Sequence, residues 1–307
     1  MKNKFLLNIR SLTVSFPVKG DLVPVVDQVS FSISRGESVA VVGESGCGKS
    51  QIALALMGLT SSSGTINMKG QGLEVSKAMI FQEPMTALNP VLTIGEQIRE
   101  AIPEKINRNR KKVIEYLNQV KIGKPEERYG SYPHEFSGGM RQRVLIAMAL
   151  ARKPVLLIAD EPTTALDAVI RKDIILLLKE LNKKEGLALL FITHDISILK
   201  IIADRILVMY AGHIVESGPT DRILHNCRHP YTKDLMALAS LEKDEKGRFP
   251  AIPGSVPQPE NYPSGCPYHP RCKSAIDICS REFPALKCAG LQKWSCIHLN
   301  SAGRTTN

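Results

Sequence analysis

Over the first eighty positions apolar residues come in short pieces. Residues 12–16, 29–34 and 38–42 alternate or run apolar, each bounded by Gly, Pro or Asp, and 64–68 and 78–81 repeat the pattern. A two-residue period puts alternate side chains on one face, so these pieces predict strands. The longer apolar run 51–59 predicts a helix. Residues 83–150 change period: 94–101, 108–121 and 138–152 predict helices, punctuated by Pro103, Pro125 and Pro133. From Val155 strands and helices alternate: strand 155–160, helix 168–184, strand 188–193, helix 196–203, then strands 205–209 and 213–215. That alternation predicts parallel βαβ units. The expected fold class is α/β, with a strand-rich N-terminal part and an inserted helical subdomain at about 83–150.

This main domain is expected to span 1–240. Residues 242–248 are charged, and Pro250, Pro253, Pro257, Pro259 and Pro263 follow, so 241–264 predicts an extended linker of polyproline II character. Residues 265–307 form a small Cys-rich C-terminal tail. Five of the seven cysteines lie between Cys266 and Cys296.

No apolar run is long enough to span a bilayer, which takes about 20 residues. The best stretches, 144–151 and 187–193, are short and bounded by Arg152, Lys153, His194 and Asp195. The N-terminal stretch 1–16 carries Lys2, Lys4 and Arg10 on an alternating pattern and predicts a strand rather than a signal peptide. The chain is therefore expected to be cytoplasmic, with any membrane contact peripheral, and its cysteines are not expected in disulfides. Forty Lys and Arg against thirty Asp and Glu give a net charge of +10. That charge suits nucleic acid, an anionic membrane surface, phosphate ligands or simply a lysine-rich solvated face, and does not choose among them.

Chemistry is concentrated at a few places. Gly43-Glu44-Ser45-Gly46-Cys47-Gly48-Lys49-Ser50 matches G-x-x-x-x-G-K-[ST] at every fixed position, between a predicted strand and the predicted helix that begins at Gln51. Glycines there let backbone N–H groups turn inward around a phosphate, and the helix N-terminus adds partial positive charge. Lys49 is expected to reach the β- and γ-phosphates of ATP and Ser50 to ligate Mg²⁺. Cys47, beside Lys49 and a helix N-terminus, is expected to be an acidified, reactive thiol, with a small loop residue shielded from reagents as the alternative. The apolar strand 155–159 delivers Asp160 and Glu161 at its C-terminal end, where open α/β sheets bind ligands. Asp160 is expected to hold Mg²⁺ and Glu161 to polarise the attacking water as general base. Ser137-Gly138-Gly139 precedes a predicted helix and offers a second anion site.

The stretch Phe136-Ser137-Gly138-Gly139-Met140-Arg141-Gln142-Arg143 resembles the signature motif of ABC-type ATPases, placed just before the carboxylate strand. The resemblance covers about residues 5–240 and implies a P-loop NTPase core with an antiparallel β subdomain. It further implies that Ser137, Gly138 and Gly139 read the γ-phosphate held by a second ATPase subunit. By the same resemblance Gln82 senses Mg²⁺ and couples to the membrane subunit, Asp167 in Ala165-Leu166-Asp167 crosses the dimer interface, and His194 contacts the γ-phosphate. In the same pattern Phe16, at the end of the first predicted strand, is expected to stack on adenine, with ordinary packing as the alternative. Phe136 and Met140 depart from the commoner Leu and Gln of the signature, and the stretch between Gly64 and Phe81 is compressed.

Residues 81–90 (FQEPMTALNP), 229–232 (HPYT), 252–259 (IPGSVPQP) and 265–272 (GCPYHPRC) resemble the oligopeptide/dipeptide importer ATPases, with nickel and other small-solute importers as close kin. This resemblance implies a second, non-identical ATPase subunit, two transmembrane permease subunits, an extracellular solute-binding protein acting indirectly, and a place on the cytoplasmic face of the membrane. A soluble ABC ATPase acting on DNA or ribosomes is the competing class. The chain has one cassette and no long heptad run, so no nucleic-acid partner is expected. Cys266, Cys272, Cys279 and Cys296 offer four thiolates at spacings looser than the close pairs of zinc sites. All-Cys ligation suits an iron–sulfur cluster, and the resemblance implies [4Fe–4S], with zinc and unliganded cysteines as alternatives. Cys288 is a fifth thiol outside the pattern.

Overall fold

A computed structural model describes residues 5–68, 76–81, 87–103, 108–164, 166–240 and 251–297. The strands are β1 (Phe5–Val18), β2 (Asp21–Ser34), β3 (Ser38–Val42), β4 (Ser63–Met68), β5 (Lys77–Ile80), β6 (Leu156–Asp160), β7 (Ala188–Thr193), β8 (Arg205–Tyr210), β9 (His213–Pro219), β10 (Leu286–Ala289) and β11 (Gln292–Ser295). The α-helices are α1 (Lys49–Met57), α2 (Ile94–Ala101), α3 (Arg110–Gln119), α4 (Pro125–Arg128) and α5 (Gly138–Ala151). They continue with α6 (Ala168–Glu185), α7 (Leu199–Ile202), α8 (Thr220–Asn226) and α9 (Pro230–Ser240). The chain divides into two compact units. One holds Met1–Leu6, Ser34–Glu37 and Met68–Phe191, and the other holds Leu7–Ile33, Ser38–Asn67 and Ile192–Asn307.

In the second unit β3 runs parallel to β8, with Val39 opposite Arg205 and Val42 opposite Val208. All five residues of β3 are buried, as a strand covered on both faces requires. β8 then pairs antiparallel with β9, β9 with β11 and β11 with β10. The predicted parallel βαβ units do not extend to β8 and β9, which no helix separates; the Ala211-Gly212 turn, with φ of 44° and 81°, is too short for a crossover and forces an antiparallel return. Two tail strands join this sheet, and neither announces itself in a Cys-, Pro- and Lys-rich sequence. A separate three-stranded sheet has the order β2-β1-β4. Its β1–β2 hairpin turns at Lys19-Gly20, both at positive φ, the geometry that matches strand twist in a two-residue loop.

In the first unit β5 runs parallel to β6, with Lys77 opposite Leu156 and Ile80 opposite Ala159, and β7 lies on the other side of β6. The helix expected over 196–203 is instead a 3₁₀ turn, Ile196–Ile198, followed by one turn of α-helix in the second unit. The helical insertion is present as α2 to α5. α2 begins on a capping box between Thr93 and Glu96, and Asn109 caps α3, trimming the expected 108–121. α5 buries nine of its fourteen residues, which suits a sequence that is apolar over most of its circumference.

Candidate nucleotide site and C-terminal cysteine site

In the second unit the phosphate loop connects buried β3 to α1. Gly46 and Gly48 have φ of 81° and 103°, values a β-carbon disfavours. A Cβ at Gly43 would stand 2.2 Å from the Met209 carbonyl oxygen, and one at Gly48 2.5 Å from that of Val25. The glycines are therefore demanded by backbone contact as well as by conformation. Lys49 is buried, and its Nζ donates to the carbonyl oxygens of Gly43 and Glu44, both at 2.9 Å. Cys47 is fully buried, and burial pushes its thiol above the usual range despite the neighbouring Lys49. The expected acidified thiol is thus corrected: desolvation outweighs the charge. Gln51 sits in the first turn of α1 with a buried Oε1 that has no hydrogen-bond partner. His194 follows the last residue of β7 and is exposed, and Phe16 is 37% exposed on β1.

Glu44 is held from three directions. Its N–H donates to the Tyr231 hydroxyl at 3.0 Å. Its carboxylate accepts two bonds from the Arg271 guanidinium, at 3.0 and 2.9 Å. Its carbonyl accepts from Lys49. Sequence reasoning missed Tyr231 and Arg271 as parts of this neighbourhood, because no local spacing ties residues 187 and 227 positions away to a glycine-rich loop.

In the first unit Asp160 ends β6 and is buried. Glu161 has φ of 45°, a left-handed conformation rare outside glycine and frequent at functional sites. Its carboxylate accepts from the Thr164 hydroxyl at 2.9 Å. Asp167 caps α6, accepting from the N–H groups of Val169 and Ile170 at 3.1 and 3.0 Å. Ser137 caps α5 through the Met140 N–H. A Cβ at Gly139 would meet Ile170 Cγ2 at 2.4 Å, so the second glycine admits α6 against α5. Gln82 and Ala165 lie outside the described residues.

Cys266, Cys272, Cys279 and Cys296 line one cavity in the second unit, together with His229 and Tyr268. The Cys266 N–H donates to the Cys279 carbonyl at 2.8 Å. Burial pushes the Cys266 thiol up to about 11, with Cys296, Cys279 and Cys272 adding to the rise, and burial raises the Cys272 thiol too. Cys288 is exposed, outside this group. Among the described residues no three His, Cys, Asp or Glu side chains stand in an arrangement that would hold a metal ion. The convergence of the four cysteines agrees with the spacing; the side-chain geometry by itself does not support a metal centre.

Residues 26–164 match the family model for ABC transporters, and residues 215–279 match that for the oligopeptide/dipeptide transporter C-terminal region. The dipeptide transport ATP-binding protein DppD of Escherichia coli is 45% identical, covering 98% of this chain and 99% of that protein. The chain belongs to the ABC transporter ATP-binding subunits, in their oligopeptide/dipeptide branch. The oligopeptide transport ATP-binding protein AppD of Bacillus subtilis is also 45% identical to this ABC ATPase, over 92% of each chain. Among solved structures, cbiO1 of Clostridium perfringens, part of the ABC transporter complex cbiONQ, has a TM-score of 0.63 at 26% identity and covers 73% of this chain and 92% of its own. A dimeric post-hydrolysis state of the cassette MJ0796 bound to ADP and Pi has a TM-score of 0.59 at 27% identity, covering 70% and 98%. The fold expected of an ABC ATPase is thus the fold observed, and no helix among the described residues is long and apolar enough to cross a membrane.

Proposed function

We propose that this ABC ATPase is the energy-coupling subunit of a membrane importer for di- and oligopeptides. The match of residues 215–279 to the peptide-transporter C-terminal region carries that reading, because a phosphate loop and signature helix serve every ABC transporter whereas the tail does not. Two transmembrane permease subunits, a second and non-identical ATPase subunit and an extracellular solute-binding protein are the proposed partners, with the chain on the cytoplasmic face. A nickel or other small-solute importer would use the same motor.

ATP and Mg²⁺ fit the loop geometry: backbone N–H groups freed by three glycines, a buried lysine, and a helix beginning at Lys49. In the proposed cycle Lys49 leaves the Gly43 and Glu44 carbonyls for the β- and γ-phosphates. Ser50, Asp160 and Gln82 are the residues that would hold Mg²⁺, whose charge would offset that of the phosphates; Phe16 would stack on adenine, and Glu44, Ser45, Gly46, Cys47, Gly48 and Gln51 would complete the cradle. Glu161 takes the proton of the attacking water and His194 contacts the γ-phosphate. Ser137, Gly138 and Gly139 of one subunit close on the ATP of the other, beside Asp167. Closure of that dimer moves the permease, and hydrolysis resets it.

For the tail, the all-cysteine donor set is the support for a [4Fe–4S] cluster, with Cys266, Cys272, Cys279 and Cys296 as ligands and zinc as the alternative. Such a group would cross-link the tail, and no step of ATP hydrolysis passes through it.

An affinity tag on this chain, followed by purification from the native cell in mild detergent, tests the proposal. Recovery of a second ATPase with its own phosphate loop and two multi-span proteins supports it. A soluble homodimer with no membrane protein, under conditions that keep other transporters intact, overturns it.

A further inference from the structure

We propose that Arg271, in the C-terminal tail, is a positioning residue for the phosphate loop, setting nucleotide affinity by clamping Glu44. The inference rests on reading 43–50 as the ATP site. Its geometry begins with the guanidinium itself. The Arg271 side chain is 7% exposed and every face of its fork is engaged. Nη1 and Nη2 grip the two Glu44 oxygens at 3.0 and 2.9 Å. Nε donates to the Pro253 carbonyl at 2.7 Å, and Nη2 reaches the Gly254 carbonyl at 3.3 Å. Nη1 lies 3.3 Å from the Tyr210 hydroxyl. A bidentate arginine–carboxylate pair specifies direction as well as distance.

Glu44 is the hinge of the loop's internal bonding. Its carbonyl accepts from Lys49 Nζ and, at 3.4 Å, from the Cys47 N–H, while its own N–H is spent on Tyr231. Displacing Glu44 therefore displaces the resting partner of the lysine that is to meet phosphate. Tyr231 is anchored in turn: its ring packs at 4.6 Å from Tyr210 and 5.2 Å from Tyr268, and Tyr268 bonds Asp234 of α9. Tyr268 and Arg271 both lie in the loop between Cys266 and Cys272. The same short segment that carries two of the four cysteines thus supplies both the clamp on Glu44 and one wall of the tyrosine cluster behind it. The tail buttresses the phosphate loop through Glu44 and Tyr231.

The experiment is equilibrium binding of MgATP to the full-length chain, with ATPase kinetics in the assembled transporter. Wild-type binding and its loss in Lys49→Ala establish the nucleotide site independently of the clamp. Arg271→Ala is expected to weaken MgATP binding about tenfold, the order of one charged hydrogen-bond pair. KM should rise accordingly while kcat stays within about threefold. Arg271→Lys, which keeps the charge but not the fork, should recover part of the affinity. In a Glu44→Ala background Arg271→Ala should cost nothing further. A purely structural defect would instead lower the active fraction and the nucleotide-free melting temperature without moving KM. Affinity of Arg271→Ala within twofold of wild type, or an undiminished loss in the Glu44→Ala background, overturns the proposal. Should Arg271→Ala not yield folded protein, Arg271→Lys and Glu44→Gln decide: weakened binding in both supports the clamp, and wild-type binding in either refutes it.

Discussion

At the residue scale the informative positions are those where chemistry and conformation disagree with the bland expectation. Glu161 holds a left-handed φ that a glutamate adopts only under constraint, directly after the carboxylate that ends β6. Replacing Glu161 by Gln keeps size and hydrogen bonding but removes the proton acceptor. Steady-state ATPase assays of the assembled transporter should show hydrolysis reduced about 10²- to 10⁴-fold with MgATP binding retained; turnover within a few-fold of wild type would remove Glu161 from the role of base. Cys47 teaches the reverse lesson. Its neighbours in sequence argue for a thiolate, but full burial raises its pKa. At pH 7 iodoacetamide should therefore modify exposed Cys288 much faster than Cys47, and the Cys47 rate should climb only as the solution becomes alkaline. Mass spectrometry of timed samples checks this, and early labelling of Cys47 at neutral pH would contradict the burial argument.

At the element scale, helix ends explain why several motif residues are the types they are. Asp167 accepts from two backbone N–H groups of α6, so part of its requirement is to start a helix, whatever it does at a dimer interface. Asp167→Ala should lower thermal stability by about 1 kcal/mol, while Asp167→Asn, which preserves an acceptor, should lose only a fraction of that. Calorimetry on the nucleotide-free chain distinguishes the two. Gly139 is set by packing: its missing Cβ leaves room for Ile170, and Gly139→Ala must push that β-branched side chain off α5. We expect a cost of about 1–3 kcal/mol for the overpacking, read as a lower denaturant midpoint, and relief on combining it with Ile170→Ala.

At the scale of the whole molecule, the tail is wired into the second unit. β11 pairs with β9, Trp294 is fully buried with Arg228 over its ring, and buried Glu216 of β9 accepts from the Arg228 and His229 N–H groups and from Gln292 Nε2. If the four converging cysteines hold iron, anaerobically purified protein should be brown, with a broad visible band and near-stoichiometric iron and sulfide by chemical analysis. Zinc at one equivalent without iron would move the assignment to the zinc alternative. Glu216→Ala should destabilise this region by about 2 kcal/mol, because it leaves the buried His229 N–H without an acceptor and removes one partner each from the part-buried Arg228 N–H and from Gln292 Nε2, which keeps the Asn226 carbonyl, and hydrogen exchange over β9 and β11 should accelerate.

The amino-acid order alone determined the class of fold and its chemistry. Strand and helix periods are local properties, and the phosphate loop, the carboxylate strand and the Ser137-Gly138-Gly139 helix start each lie within a dozen consecutive residues, so their spacing is legible without a structure. The four cysteines, spread over residues 266–296, were legible as a group because cysteine is concentrated there in the chain. What the sequence did not contain was long-range pairing. The antiparallel return of β9, the two strands of the tail, the capture of Glu44 by Arg271 and Tyr231, and the burial that turns Cys47 from an expected thiolate into a raised thiol all depend on residues far apart in the chain. Periodicity cannot report a contact between positions 44 and 271, because that contact exists only once the sheet has registered and the tail has docked on it. Desolvation likewise belongs to the folded environment, and it overrode the charge that the linear neighbours supplied.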